Sequence, residues 1–110
     1  MPLKLLREHR VVNTAAFHQL FMAAFLEGRA GDIEYFVPPG VHIAALGGYG
    51  LAGMSSLVAV GPVTGATRTV LVTIRAKQAD SRVEFPLRYR IRLVKRDRWY
   101  VAAINASGKG

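Results

Sequence analysis

Residues 83–104, VEFPLRYRIRLVKRDRWYVAAI, place the tightest constraint on the fold. Leu87, Tyr89, Ile91 and Leu93 alternate with Arg88, Arg90 and Arg92. A period of two puts the apolar set on one face of a sheet and the arginines on the other. The pattern predicts a long, half-buried antiparallel strand from about Val83 to Lys95. Pro86 has no N–H to give to a ladder, so it belongs at an edge, a bulge or a strand start. Arg96-Asp97 reads as a tight hairpin turn and Trp99–Ile104 as the last strand.

Further strands are expected upstream. Thr69–Lys77 alternates, with Val70, Val72, Ile74 and Ala76 on one face and Thr69, Leu71, Thr73, Arg75 and Lys77 on the other. Ser55–Val60 and Val41–Leu46 read as shorter strands, Gly47–Gly53 as a glycine-rich turn, and Gly61-Pro62 as a bulge or strand end. Ahead of them, residues 14–28 predict a helix capped by Thr14 or Asn13 and closed by Gly28. Phe17, Leu20, Phe21, Ala24 and Phe25 form its apolar stripe. Asp32–Phe36 reads as a second, short helix capped by Asp32 and ended by Pro38-Pro39-Gly40. Helices first and strands after indicate α+β: helices packed on a curved antiparallel sheet of four to five strands. One domain spans 14–104, with a lead-in or linker over 1–13 and a flexible tail over 105–110.

Charge is concentrated where the strands lie. The chain carries a net +8, and residues 68–98 hold ten Lys/Arg against Asp80, Glu84 and Asp97. Such a surface attracts polyanions or an acidic partner. The plainer alternative is that arginines keep the outer sheet face wet. Arg88, Arg90 and Arg92 are the candidate interaction surface, with Arg75 and Lys77, and then Lys95, Arg96 and Arg98, as extensions. Single-stranded nucleic acid would call for aromatics between the arginines on the same face. The outward positions of 87–95 have none, which weakens direct nucleic-acid binding.

Catalytic and cofactor motifs are sparse. The chain has no cysteine, which excludes a disulfide framework, a thiolate zinc site and a Cys nucleophile. His9, His18 and His42 lack metal-ligand spacing, so no metal is expected. Gly48-Tyr49-Gly50-Leu51-Ala52-Gly53 matches G-x-G-x-x-G, but residues 54–60 lack a helical period, and no acid stands about 20 residues on. No cofactor is expected. Asp32, Glu34, Asp80, Glu84 and Asp97 fall near turns or helix ends, and Glu84 faces inward only if the register breaks at Pro86. No acid–base pair forms, so the chain reads as no enzyme. No apolar run approaches the ~18 residues that span a bilayer, and MPLKLLREHR is no signal peptide.

Taken in order, four segments resemble one family. They are Thr14–Leu26 (TAAFHQLFMAAFL), Gly31–Val37 (GDIEYFV), Val41–Gly48 (VHIAALGG) and Leu93–Val101 (LVKRDRWYV). Together they look like the carboxy-terminal domain of TcpC-type conjugative transposon proteins. There a Phe-striped helix leads to a D-L-x-Y-F-L short helix, an LGG turn and an LVK-x-D-x-x-W-Y-V hairpin. The resemblance implies a cone-shaped nuclear-transport-factor-2-like fold. It also implies a non-enzymatic scaffold of a type IV secretion-like apparatus that self-associates and contacts other transfer proteins. Placement on the extracytoplasmic face of the membrane, in a longer parent with a transmembrane helix and a first cone domain, is implied by the same likeness; contact with the anionic envelope is an expectation from the basic sheet face. The alternatives are a small cone-fold enzyme or ligand binder, and a basic-face nucleic-acid binder.

Overall fold

A computed structural model describes residues 2–61 and 65–107, with side chains from residue 15 onward in those ranges. Two helices, α1 (Pro2–Glu27) and α2 (Ala30–Phe36), precede four strands: β1 (Tyr49–Val60), β2 (Thr67–Gln78), β3 (Glu84–Lys95) and β4 (Trp99–Ala106). The strands form an antiparallel meander in the order β1-β2-β3-β4. Register shifts between Leu51 and Gly53, between Met54 and Ser56, and between Arg92 and Leu93 bend the sheet.

The period-two alternation holds along β2 and β3. Val70, Val72, Ile74 and Ala76 are buried on the inner face, and Ile91 and Leu93 stand beside them. Pro86 pairs with Arg75 near the start of β3. The β3–β4 register ends at Tyr89↔Ala106, and the Ser107 N–H donates to the Arg88 carbonyl. Pro86 therefore lies past the stretch where β3 has β4 beside it, as its missing N–H requires.

Packing on the sheet sets the phase of α1. Its buried residues are His18, Phe21, Met22, Phe25 and Leu26, spaced i, i+3, i+4, i+7, i+8, with Ala24 also buried. Phe17 packs against the cluster at its edge. Leu20, expected in the stripe, is 62% exposed. Phe36 of α2 decides the phase: it meets Phe17 and Phe21 edge-on at centroid distances of 5.3 and 5.6 Å. Phe25 meets Tyr89 of β3 edge-on at 5.4 Å.

Several boundaries differ from expectation. The first helix starts at Pro2, so Thr14 and Asn13 lie inside it, and the expected lead-in is helical. The second starts at Ala30, and Arg29 stands at its N-cap without a side-chain cap bond. Asp32 lies in its first turn and pairs with Arg29 instead of capping. Val41–Leu46 keeps a strand's alternation, with Val41, Ile43 and Ala45 half-buried, but forms no ladder. The Leu46 N–H ties it to α1, donating to the Phe25 carbonyl at 2.8 Å, and the Val41 N–H donates to the Pro38 carbonyl at 3.1 Å. Gly50 and Gly53 belong to β1, and only Gly47 and Gly48 of the expected turn take positive φ. The last strand runs to Ala106, past the expected tail start. Pro62 and residues 108–110, named in the expected bulge and tail, lie outside the described residues.

Gly28 closes α1 as expected, at φ +77°, with the Arg29 N–H donating to the Ala24 carbonyl. It also crosses the chain at Gly47: a Cβ on Gly28 would stand 3.0 Å from the Gly47 Cα. Gly28→Ala should therefore destabilise the fold by about 1–3 kcal/mol. Met22→Ala should cost about 2–5 kcal/mol, whereas Leu20→Ala should stay within about 0.5 kcal/mol. Urea unfolding of the three variants checks both statements. Equal losses at 20 and 22 would mean that the helix packs in the expected phase.

Candidate functional site

The outer face of the sheet carries the arginines. Arg88, Arg90 and Arg92 are all exposed, opposite Thr73, Leu71 and Thr69 of β2. Alternate residues on a strand repeat every ~7 Å, so the three arginines leave the strand as an evenly spaced row. Arg75 and Lys77 share this face, opposite Pro86 and Glu84. The register is unbroken at Pro86, so Glu84 faces outward with them. Its carboxylate stands 3.8 Å from Arg75, with both side chains about half exposed. An exposed pair of that kind contributes at most ~1 kcal/mol and leaves the positive field largely intact.

Arg75 has a second feature that sequence reasoning missed. A Cβ built on Gly53 of β1 would stand 1.9 Å from Arg75 Nη2. The guanidinium thus crosses from β2 and occupies the space that a side chain at 53 would fill. A glycine inside a strand signals such a close approach, but nothing in the sequence connects it to residue 75.

The other basic residues do not extend the row. Lys95 pairs with Trp99 and has the parity of Leu93, which puts it on the opposite face. Arg96 lies in the turn, where its N–H donates to the Arg98 carbonyl. Arg98 is occupied: its guanidinium lies 4.4 Å from the Tyr35 ring centroid and 4.2 Å from that of Tyr100, and Nη2 donates to the Tyr35 carbonyl. This stack fastens α2 to the start of β4. Arg68 sits on the inner side of β2, with its guanidinium 4.9 Å from the Trp99 ring centroid.

Aromatic side chains fill the inner face. Phe21 and Phe25 stack at 6.2 Å, and Phe36 and Tyr89 close on them from either side. Burial, with Tyr49 nearby as a smaller cause, pushes the Tyr89 phenol above its ordinary pKa. Tyr89 is partly buried and packs against the core cluster. His18 is buried in α1, edge-on to Phe17, and His42 is exposed. Among the described residues, no group of three His, Cys, Asp or Glu side chains converges to hold a metal ion. The G-x-G-x-x-G run lies in and beside a strand that continues to Val60, so it opens no helix to receive a pyrophosphate.

A shallow cleft of about 460 Å³ opens between α2, residues 37–43 and β4. Glu34, His42, Arg98 and Tyr100 contribute its polar groups. Two of the four are already engaged, Arg98 in its stack and Tyr100 through its O–H, which donates to Asp97 Oδ1 at 2.8 Å. That bond is the main cause of two shifts: the Asp97 carboxyl is held below the ordinary carboxylate value and the Tyr100 phenol above its own.

Those directions set the pH dependence. Asp97 contributes stability above the ordinary carboxylate pKa of ~3.9, and this is lost as pH falls through its lower folded value. Tyr100 contributes below about pH 10, and this is lost as pH rises through its higher folded value. Tyr100→Phe should therefore be less stable than wild type near neutrality, with the difference shrinking at both extremes. Urea unfolding across pH, with the Asp97 carboxyl followed by carbon-detected NMR, measures this. A stability difference that is flat with pH, or an unmoved Asp97 midpoint, would contradict the bond.

The sequence matches no protein-family profile and no curated protein. The fold is similar to that of a solved "Ntf2 like protein involved in plasmid conjugation", with a TM-score of 0.75 and 13% identity over 90% of this chain. The match spans 39% of that protein's length. Helices seated on a bent antiparallel sheet thus make this chain a cone of the nuclear-transport-factor-2-like fold.

Proposed function

We propose that the domain is a non-enzymatic scaffold or interaction module of a conjugative DNA-transfer apparatus. One observation carries the division of labour: aromatic side chains fill the inner face, while Arg88, Arg90 and Arg92 stand exposed on the outer one. Work done through surface contact needs the second and not a cavity. The conjugation role rests on the solved neighbour named for plasmid conjugation, together with the four TcpC-like segments. In this reading the domain is the carboxy-terminal cone of a TcpC-like protein and serves a type IV secretion-like machine. It works at the extracytoplasmic face of the membrane, in a longer parent. Among the described residues no helix is long and apolar enough to cross a membrane. The partners are other transfer proteins and further copies of the chain, and the arginine row meets an acidic protein surface or the anionic envelope.

In-frame deletion of residues 14–104 from the parent gene, followed by a count of transconjugants, tests the role. Transfer should collapse while the other transfer proteins remain present, and unchanged transfer would contradict the reading. Arg88→Glu, Arg90→Glu and Arg92→Glu together lower the net charge from +8 to +2. All three sites are exposed, so the triple variant should keep its circular dichroism spectrum and lose transfer. A folded triple variant with full transfer would remove the arginine row from the function.

A further inference from the structure

β1 is an edge strand. It pairs with β2 on one side, and among the described residues no backbone hydrogen bond is made from its other side. Its twelve residues, YGLAGMSSLVAV, contain no charged residue and no proline. Proteins blunt free edges with charges, prolines or bulges, because an open row of N–H and C=O groups recruits another strand. Both bulges of β1 lie before Ser56. From Ser56 to Val60 the strand runs in unbroken register with Thr73 to Thr69. Here Ser56, Val58 and Ala59 are exposed, Val58 at 54%. A regular, apolar, unprotected half-strand is thus presented to solvent.

We infer that a second copy of this chain pairs there, antiparallel, Ser56–Val60 against Ser56–Val60, joining two sheets into one. This deepens the self-association in the reading above and rests on that part of it. Charge selects the occupant. Each copy carries +8, and two copies meeting over the arginine row would set like charges together. On the β1 edge they do not. A twofold axis at Val58 places Val58 against its counterpart, Ser56 against Val60 and Leu57 against Ala59, and every opposed pair is neutral. Such a twofold contact is self-complementary and closes at two copies. The guanidinium of Arg75 reaches β1 over Gly53. That is roughly 17 Å from the axis at strand spacing. The two Arg75 groups are then separated by several Debye lengths of ~8 Å at physiological salt, and repel little.

Sedimentation velocity over a concentration series tests the inference. Wild type should show a monomer–dimer equilibrium, from 12.0 kDa to twice that mass. Val58→Lys should be monomeric, since the axis sets Lys against Lys, and Val58→Glu likewise. Mixing the two should restore the dimer, because position 58 meets only itself. The exposure of Val58 lets all three fold, which circular dichroism checks. A wild type that stays monomeric throughout would overturn the proposal, as would a dimer indifferent to Val58→Lys or a mixture that fails to reassociate. The Arg88, Arg90 and Arg92 triple variant should still dimerise, so loss of the dimer there alone would move the contact to the sheet face. Transfer that fails in the triple variant while its dimer survives keeps the two tests separate.

Discussion

The seat of α1 on the inner face of the sheet determines everything else in this domain. Phe21 and Phe25 occupy the concavity, Tyr89 meets them from the sheet, and Phe36 locks them from α2. Once those rings are in place, the arginines of β3 can only point away from them, because strand parity leaves no other face. The basic outer surface is therefore the counterpart of the aromatic interior. Loss of one large core side chain costs several kcal/mol, a sizeable part of a small domain's total stability.

Legibility in the chain depends on whether side chains carry a pattern. β3 is legible because apolar and arginine residues alternate without a break, and the hairpin into β4 because a short charged turn separates two such runs. The phase of α1 is harder. Apolar residues stand at both 20 and 22, and periodicity alone does not choose between them. Phe36 chooses, by reaching Phe17 and Phe21 from another helix. That is tertiary information and no local window contains it. β1 reads too short from sequence because glycine has no side chain to alternate. Its two bulges break the remaining period. Val41–Leu46 shows the reverse case: the alternation is real, but the segment joins no ladder.

The candidate site divides in the same way. The five basic residues of the outer face are visible from parity, and the sheet places them together. The Arg98 stack between Tyr35 and Tyr100 is not visible, since it joins residues 63 positions apart in the chain. The Tyr100–Asp97 bond, three residues apart across the turn, is within reach of a sequence argument. Arg75 lying over Gly53 is not, because what matters there is an absent side chain.

The central claim is that the interior is core and the function belongs to the surface. Tyr89 tests it most directly, because its ring meets Phe25 on the inner face and carries a titratable hydroxyl. The measurement is transfer frequency for Tyr89→Phe, which removes one oxygen and keeps the ring, with folding checked by urea unfolding. A folded Tyr89→Phe variant should transfer at the wild-type frequency. Loss of transfer in a folded Tyr89→Phe protein would contradict the claim and return the function to the inside of the cone.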